Sequence, residues 1–271
     1  MMKMAFITGG TGGFGLALTE RLVSHGWHVF AADCDQNGLA ALAGKENITP
    51  LHLDVTSMDS VHAAFDSVKK HTSQLDALIN FAGILRVGPM VEMDEKVVQQ
   101  VLDINLMGTW RVNKVFFPML KQGRIVNVSS ETGWHTASPF NGAYAMSKYG
   151  IEAYSDALRR ELSIFNIPVI KVQPGPFKTS MVASTVNGFY MASEKSQHYQ
   201  KQLKHFGDLV DEANQKAADP ALLAGVIYQA LTVSKPKTAY SVKADPGRSF
   251  LEWLPIRIAD AIFRKILSNP S

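Results

Sequence analysis

A tyrosine and a lysine stand four residues apart in a segment with the composition of a helix. The segment runs from Tyr144 to Leu162, is rich in Leu, Glu, Arg and Ala, and contains no proline; its lysine is Lys148. Residues four apart share one helix face, with Cβ atoms about 5–6 Å apart. A phenol beside an ammonium at the mouth of a cofactor site is suited to moving protons. The alternative is a surface pair in which the lysine stem lies along apolar surface.

A glycine-rich run, "TGGTGGFG", extends from Thr8 to Gly15, between an apolar strand-like segment and a helix-like one. Glycines let the backbone turn tightly and approach a pyrophosphate, and a helix N-terminus offers free N–H groups to it. The alternative is a tight turn without a ligand, but the strand–turn–helix context favours a dinucleotide site. We predict that this turn binds the cofactor through Gly9, Thr11, Gly13, Phe14 and Gly15.

Asp33 ends the second predicted strand, 18 residues after Gly15. A carboxylate at that place accepts hydrogen bonds from an adenosine ribose and repels a 2′-phosphate. Positions 10–12 and 34–37 contain no Arg or Lys, so a 2′-phosphate would lack a nearby cation. The pattern therefore predicts NAD(H) rather than NADP(H). In the alternative, Asp33 caps a loop and Asp35 binds the ribose.

Further polar and small residues follow the third and fourth predicted strands. Carboxyl ends of strands form the rim where open α/β sheets bind ligands. We therefore predict cofactor contacts there, although a helix cap at Asp54 and a plain turn at Gly83 explain the residues equally well. The predicted contacts are Asp54, Val55, Asn80, Ala82 and Gly83.

The elements that must position these residues alternate along the chain. Strand-like runs occupy residues 3–8, 27–33, 48–55, 75–83, 123–130, 167–175 and 237–242, and helix-like runs occupy 13–26, 36–44, 59–71, 94–120, 144–162 and 219–231. Strands that alternate with helices form βαβ units with right-handed crossovers. This predicts an α/β fold: a Rossmann-type, doubly wound parallel sheet with helices on both faces. Residues 1–271 form one domain, and the polar stretch 180–218 is a helical substrate lid.

Several motifs together resemble the short-chain dehydrogenase/reductase family of the compact single-domain type. They are Thr8-Gly9-xxx-Gly13-x-Gly15, Asp54, Asn80-x-Ala82-Gly83, Asn105, Ser130, Tyr144-xxx-Lys148 and Pro174-Gly175. The resemblance covers about residues 3–180 in order and the remainder more loosely. Phe81 departs from the family's Asn-Asn-Ala-Gly. The segments "SKYGIEAYSDALRREL" and "QPGPFKT" are similar to the branch of retinol and hydroxysteroid dehydrogenases.

The resemblance implies a role for each residue. Tyr144 is the general base or acid, Lys148 lowers its pKa and holds the nicotinamide ribose, and Ser130, rather than Ser129, binds the substrate oxygen. Lowering a phenol pKa from 10 to about 7 needs roughly 4 kcal/mol, which an ammonium about 4 Å away supplies at intermediate dielectric. The side chain of Asn105 holds a water that links Lys148 to solvent, unless the residue is only a helix irregularity near Gly108. The remaining cofactor contacts are Pro174, Gly175 and Thr179.

The pocket walls should come from segments that follow strand ends, and these segments are mostly apolar. We predict a hydrophobic alcohol or ketone substrate, such as a steroid, a retinoid or a long-chain alcohol. Alternatively, the same residues pack a lid or a subunit interface, and His135 is a wall residue rather than a second acid. The predicted substrate contacts are Leu85, Trp134, Phe140 and Phe189.

Composition limits the remaining classes. The net charge of +3 comes from scattered basic residues, which argues against nucleic-acid binding. A single cysteine, Cys34, forms no internal disulfide and fits a cytoplasmic protein, and no His pair has metal-ligand spacing. The sequence shows no signal peptide and no membrane span. The apolar tail 250–267 suits an interface, the pocket or peripheral membrane contact. The resemblance implies a homodimer or homotetramer through helices 95–120 and 144–162.

These observations predict an NAD(H)-dependent oxidoreductase that interconverts an alcohol and a carbonyl by hydride transfer. Sugar-nucleotide epimerases share the Tyr-xxx-Lys machinery but usually carry a longer C-terminal substrate domain. A catalytically silent NAD(H)-sensing or scaffold protein on the same fold is the second alternative. Intact Ser130, Tyr144 and Lys148 argue against it, because a silent protein has no chemical need for all three.

Overall fold

Seven parallel strands form one sheet in the computed structural model, which describes residues 2–268. Their order is β3-β2-β1-β4-β5-β6-β7, so the chain reverses its direction of winding between β1 and β4. Ligands of such sheets bind beyond the carboxyl ends of the strands at this switch point. The strands are β1 (Lys3–Thr8), β2 (Trp27–Asp33), β3 (Ile48–His52), β4 (Ala77–Asn80), β5 (Arg124–Val128), β6 (Val169–Pro174) and β7 (Ala239–Val242).

Helices connect the strands and cover both faces of the sheet. The described residues form α1 (Gly13–Ser24), α2 (Gln36–Leu42), α3 (Met58–Lys69), α4 (Glu95–Leu102), α5 (Gly108–Phe116), α6 (Gly142–Leu162), α7 (Ser180–Lys195), α8 (Gln200–Gln215), α9 (Pro220–Thr232), α10 (Pro246–Leu251) and α11 (Ile256–Ser268). The predicted Rossmann-type, doubly wound sheet is confirmed.

Alternate side chains of each strand enter opposite cores because successive strand residues point to opposite faces. Ala5 and Ile7 of β1 pack in a core completed by α1 and α9, where Leu223 and Ile227 are buried. Phe6 enters the other core, which is completed by α3 and α5. The sheet is therefore buried on both faces, as its continuous apolar strand sequences require.

One predicted element is different in the structure. The helix expected over residues 94–120 is divided into α4, a π-helical turn (Asp103–Met107), α5 and a 3₁₀ turn (Phe117–Met119). The extra residue of a π turn rotates Asn105 inward, where it is fully buried. Pro118 lies in the 3₁₀ turn, where a missing backbone N–H costs little.

The predicted lid and the C-terminal tail pack against each other. The predicted lid forms α7 and α8, and Ile266 and Leu267 of α11 pack on its core of Phe189, Leu203 and Phe206. No helix within residues 2–268 is long and apolar enough to cross a bilayer. The structure describes one chain, so oligomerisation and peripheral membrane contact through 250–267 stay predictions, and residues 269–271 lie outside the described part.

Candidate active site

The glycine-rich turn joins β1 to α1 at the switch point and forms the floor of a cleft. Gly9 has φ of 67°, a left-handed conformation that favours glycine. A Cβ at Gly15 would overlap the carbonyl oxygen of Gly9, so this turn requires glycine at position 15. α1 begins without a side-chain cap, which leaves its first-turn N–H groups available to a phosphate. The cleft has a volume of about 430 Å³.

Asp33 lies at the edge of this cleft with its carboxylate held by Thr11. Oδ2 accepts the Thr11 N–H at 3.0 Å and the Thr11 hydroxyl at 2.6 Å, and Oδ1 accepts the N–H of Asp35 at 3.2 Å. A carboxylate has about four acceptor sites, so Oδ1 keeps capacity for a further donor. Asp35 caps α2 through the Asn37 N–H and is absent from the cleft lining. Its assignment as the alternative ribose ligand is therefore not supported.

Most of the predicted cofactor residues line the cleft, and the donor set fits a dinucleotide. Free N–H groups suit the phosphates and the Asp33 carboxylate suits a ribose. Nicotinamide, when bound, would supply hydride chemistry beside Thr179, which separates the cleft from the adjoining cavity. The predicted residues in the cleft are Gly9, Gly13, Phe14, Gly15, Asp33, Asp54, Val55, Ala82, Gly83 and Thr179.

Two predicted cofactor contacts have other positions. Thr11 is not part of the cleft lining. Its hydroxyl donates a hydrogen bond to the Asp33 carboxylate and so orients that side chain. Asn80 is buried beneath the rim, where its side-chain amide donates to Asn113 at 2.8 Å and to Asn127 at 2.9 Å. Asn80 is therefore not part of the cleft lining, and its contact with the cofactor stays a prediction. Asp54 accepts the N–H and hydroxyl of Thr56, which hold its pKa below the usual value.

Ser130, Tyr144 and Lys148 meet in a second cavity that adjoins the cleft. Tyr144 and Lys148 lie on the first turns of α6, and both are buried. The Lys148 ammonium donates to the Val128 carbonyl at 2.9 Å and lies 5.5 Å from the centroid of the Tyr144 ring. The surface-pair alternative for these two residues is therefore excluded. Pro174 and Gly175 also line this cavity.

The two adjacent serines have different environments. Ser129 directs its hydroxyl to the Lys148 carbonyl at 3.3 Å, away from the phenol. The Ser130 hydroxyl accepts the Thr132 N–H at 3.1 Å, lines the same cavity as the Tyr144 phenol and lowers the pKa of that phenol. This geometry favours Ser130 as the residue that shares a substrate oxygen with Tyr144.

The protonation of the pair is different from the expectation. Burial raises the pKa of Tyr144 to about 12, although the Ser130 hydrogen bond opposes the shift. Burial also lowers the pKa of Lys148 to about 8. Without the cofactor, burial of both groups outweighs the effect of Lys148 on the phenol, and the expectation that Lys148 and the nicotinamide ring bring its pKa near 7 stays a prediction. The phenol is neutral at pH 7, as a proton donor requires.

Asn105 connects the π turn to α6 and to the strand after β4. Its Oδ1 accepts the Ile84 N–H at 2.8 Å, and its Nδ2 donates to the Ile84 carbonyl and to the Ser147 hydroxyl, both at 2.9 Å. Both amide donors are therefore used within the protein. These bonds fix Ile84 against the π turn and α6, and the role of this side chain in holding a water for Lys148 stays a prediction. Ser147 in turn donates to the Tyr144 carbonyl at 2.7 Å.

The cavity around Tyr144 has a volume of about 540 Å³ and mostly apolar walls. Leu85 and Phe189 line it as predicted. Trp134 and Phe140 do not, so their prediction as wall residues is wrong. Trp134 is exposed and packs on His135, whereas Phe140 is buried against Tyr199 and Phe206. The alternative of lid packing is thus correct for Phe140. Residues lining both cavities are Phe14, Phe81, Gly83, Leu85, Thr179 and Met181.

The predicted lid, 180–218, includes the α8 residues that line the cavity, whereas sequence reasoning missed the contribution of α10. Phe206, Leu209 and Val210 of α8 form part of its wall, and Asp245 and Arg248 bring charge to it. Helical periodicity in 200–215 marks an apolar face, and Asp245-Pro246 is a helix-start signal. Neither signal reveals which distant segment the helix contacts. Residues 2–268 contain no cluster of three or more His, Cys, Asp or Glu side chains that could hold a metal ion.

Comparisons with known proteins agree with this geometry. The sequence model described as short chain dehydrogenase matches residues 3–188. Human retinol dehydrogenase 16 is 33% identical over 99% of this chain and 90% of its own length. Human 17-beta-hydroxysteroid dehydrogenase type 6 is also 33% identical, over 99% of this chain and 90% of its own length. The chain belongs to the short-chain dehydrogenase family of oxidoreductases, whose members typically bind NAD(P).

A solved structure supports the fold. The crystal structure of a short-chain dehydrogenase from Streptomyces avermitilis superposes with a TM-score of 0.75 over 98% of both chains. Its sequence identity to this chain is 22%, so the similarity concerns the fold.

Proposed function

We propose that this protein is an NAD(H)-dependent oxidoreductase that interconverts a hydrophobic alcohol and its carbonyl compound. The observation that carries the proposal is the meeting of Ser130, Tyr144 and Lys148 where an apolar cavity joins a glycine-rich cleft. A hydride donor in the cleft and a substrate in the cavity would both face the Tyr144 phenol.

Proton transfer belongs to Tyr144 in this proposal. In carbonyl reduction the neutral phenol donates its proton to the substrate oxygen, and in alcohol oxidation the phenolate accepts one. Ser130 donates a hydrogen bond to the same oxygen and fixes its position. The Lys148 ammonium is buried beside the Tyr144 ring; it would hold the nicotinamide ribose of a bound cofactor and would favour the phenolate in alcohol oxidation.

The choice of NAD(H) is supported by the charges around the cleft. Asp33 brings a carboxylate to the edge of the cleft, where it would repel a 2′-phosphate, and two hydrogen bonds from Thr11 hold this carboxylate. Arg86 is the one Lys or Arg side chain among the described residues that line the cleft. It follows β4, which is separated from Asp33 on β2 by β1, and it donates to the Leu85 carbonyl.

The substrate class is supported by the walls of the cavity and by the relatives. Apolar contacts come from the lid helices and from the segment after β4: Leu85, Val87, Met181, Val182, Phe189 and Leu209. Burial of an apolar substrate against these side chains would stabilise its complex by about 25 cal/mol per Å² of apolar area. Relatives named for retinol and for 17-beta-hydroxysteroids suit a cavity of this kind.

A sugar-nucleotide substrate fits less well. Among the described residues that line the cavity, the Lys and Arg side chains are Lys148 and Arg248. Arg248 already forms an ion pair with Glu131 at 3.2 Å. A diphosphate would therefore find no free cation there.

Steady-state kinetics with a substrate panel tests the proposal. The panel contains all-trans-retinol, testosterone as a 17β-hydroxysteroid, 1-decanol and sorbitol, each with NAD⁺ and with NADP⁺. We expect kcat/KM to be higher for the apolar alcohols than for sorbitol, and higher with NAD⁺. Equal turnover of sorbitol, or no turnover of any alcohol or the corresponding carbonyl compounds with either cofactor, would overturn it.

A further inference from the structure

The C-terminal segment is fastened to the loop that follows Ser130. Glu131 accepts the Asp245 N–H at 2.7 Å and an Arg248 guanidinium N–H at 3.2 Å. Arg248 also donates to the Thr132 hydroxyl at 3.1 Å and to the Thr136 carbonyl at 3.4 Å. Arg248 thus contacts three residues of the loop 131–136, as its planar fork allows, and the Thr136 N–H donates to Glu252 in a further bond between this loop and the C-terminal segment.

This ion pair lies inside the site rather than on the surface. Glu131 is only 8% exposed, and both partners line the cavity that contains Tyr144. Ion pairs with little access to water must recover a large desolvation cost, and apolar residues often pack as well in their place. An ion pair at this position therefore calls for a role besides packing.

A short chain of contacts links the pair to the phenol. The Thr132 backbone N–H, in the loop that Arg248 contacts, donates to the Ser130 hydroxyl at 3.1 Å, and Ser130 lines the cavity beside Tyr144. The same C-terminal segment reaches the turn after β6, where the Gly175 N–H donates to the Val242 carbonyl at 2.9 Å. Movement of α10 would thus disturb both walls of the site.

We infer that Arg248 and Glu131 are positioning residues for the reaction: they orient Ser130 and set opposing charges beside the Tyr144 phenol. The inference rests on the proposed role of Tyr144 in proton transfer. It assigns a function to a residue of the C-terminal segment, beyond the part of the chain that matches the family model.

The charges act on the phenol in opposite directions. The Glu131 carboxylate raises the pKa of Tyr144 and the Arg248 guanidinium lowers it. The remaining titratable group that lines this cavity from α6 is Lys148, and Asp245 lines it from the C-terminal segment, beside polar side chains that include Ser130. Loss of one partner would therefore leave the other charge uncompensated, and loss of both would restore the balance.

The test compares Arg248→Gln, Glu131→Gln and the double variant with wild type. Protein labelled with ¹³Cζ-tyrosine reports the ionisation of Tyr144 by NMR, and Tyr144→Phe assigns its signal. Folding at each pH is checked by circular dichroism. Arg159→Gln is the matched control, because Arg159 lies at the far end of α6 and pairs with Asp156.

We expect the fraction of Tyr144 phenolate at pH 11 to fall about 3- to 10-fold in Arg248→Gln and to rise about 3- to 5-fold in Glu131→Gln, each for a shift of about 0.5–1 pH unit. The double variant and Arg159→Gln should remain near wild type. Arg248→Lys keeps the cation and should recover most of the shift even where Arg248→Gln folds poorly. The pH profile of kcat/KM for all-trans-retinol oxidation with NAD⁺ should move in the same directions.

Shifts of the same sign in both single variants, or no shift in either, would overturn the inference and leave only a structural role. Those results would leave the proposed function intact, which fails separately if Tyr144→Phe retains its activity.

Discussion

Removal of the Asp33 charge should change cofactor preference more than any other single substitution in the cleft. Asp33→Asn keeps the size of the side chain and leaves an amide oxygen to accept the Thr11 N–H and hydroxyl, which lie 3.0 and 2.6 Å from Oδ2. The backbone turn should therefore survive. What is lost is the negative charge at the end of β2.

The magnitude follows from two effects of that charge. Two unit charges about 5 Å apart repel by roughly 3 kcal/mol at an effective dielectric of 20, and less in an open cleft. The gain for NADPH should thus be about 10- to 100-fold. A hydrogen bond to a charged acceptor contributes about 1.5–3 kcal/mol, so NADH should bind roughly 10-fold more weakly. Together the ratio of the two dissociation constants should change by about 100-fold or more.

Isothermal titration calorimetry with NADH and NADPH measures both constants without any substrate. Asp35→Asn is the matched control, because Asp35 is two residues away and caps α2 instead of lining the cleft. Tighter binding of NADPH by the wild type would refute the reasoning. A larger change in Asp35→Asn than in Asp33→Asn would show that the ribose ligand is misassigned.

Three further predictions concern stability and the substrate. The pKa of Lys148 is about 8 in the folded protein against an ordinary value of 10.5, so the unfolded chain binds this proton first and the free energy of unfolding decreases as pH falls. In urea unfolding, wild type should therefore lose about 1 kcal/mol more of this free energy than Lys148→Met between pH 9 and 7. Asn105→Ala removes three hydrogen bonds and should cost about 3 kcal/mol, or roughly 5 °C in melting temperature by calorimetry; an unchanged melting temperature would contradict its bracing role. Phe189→Ala should raise KM for retinol or testosterone about 10-fold while Trp134→Ala leaves it unchanged, and the reverse order would restore the original wall assignment.

The sequence was sufficient for the sheet and for the residues that meet through local spacing. Strand and helix periods differ, so the alternation of elements predicts a doubly wound sheet from local pattern alone. Tyr144 and Lys148 are brought together by one turn of α6, and the glycine turn is fixed by the strand and helix that flank it. In each case the geometry arises within about 20 residues of chain.

The rest depends on contacts between distant segments. Arg248 meets Glu131 across 117 residues of sequence. Phe140 has φ of 64°, uncommon for a bulky residue, and turns into the lid core rather than the cavity. The raised pKa of Tyr144 likewise depends on burial beneath elements that the local pattern around α6 does not identify.

The most direct test of the account is the activity of Tyr144→Phe, which keeps the ring and removes the proton carrier. Calorimetric NADH binding and kcat/KM for testosterone and all-trans-retinol are measured together, with Tyr228→Phe on α9 as control. Acid–base catalysis typically contributes 10²–10⁴-fold, so we predict a loss of about that size in kcat/KM with NADH affinity within about 2-fold of wild type. Retention of more than half of the activity by Tyr144→Phe would contradict the central claim that this phenol carries the proton.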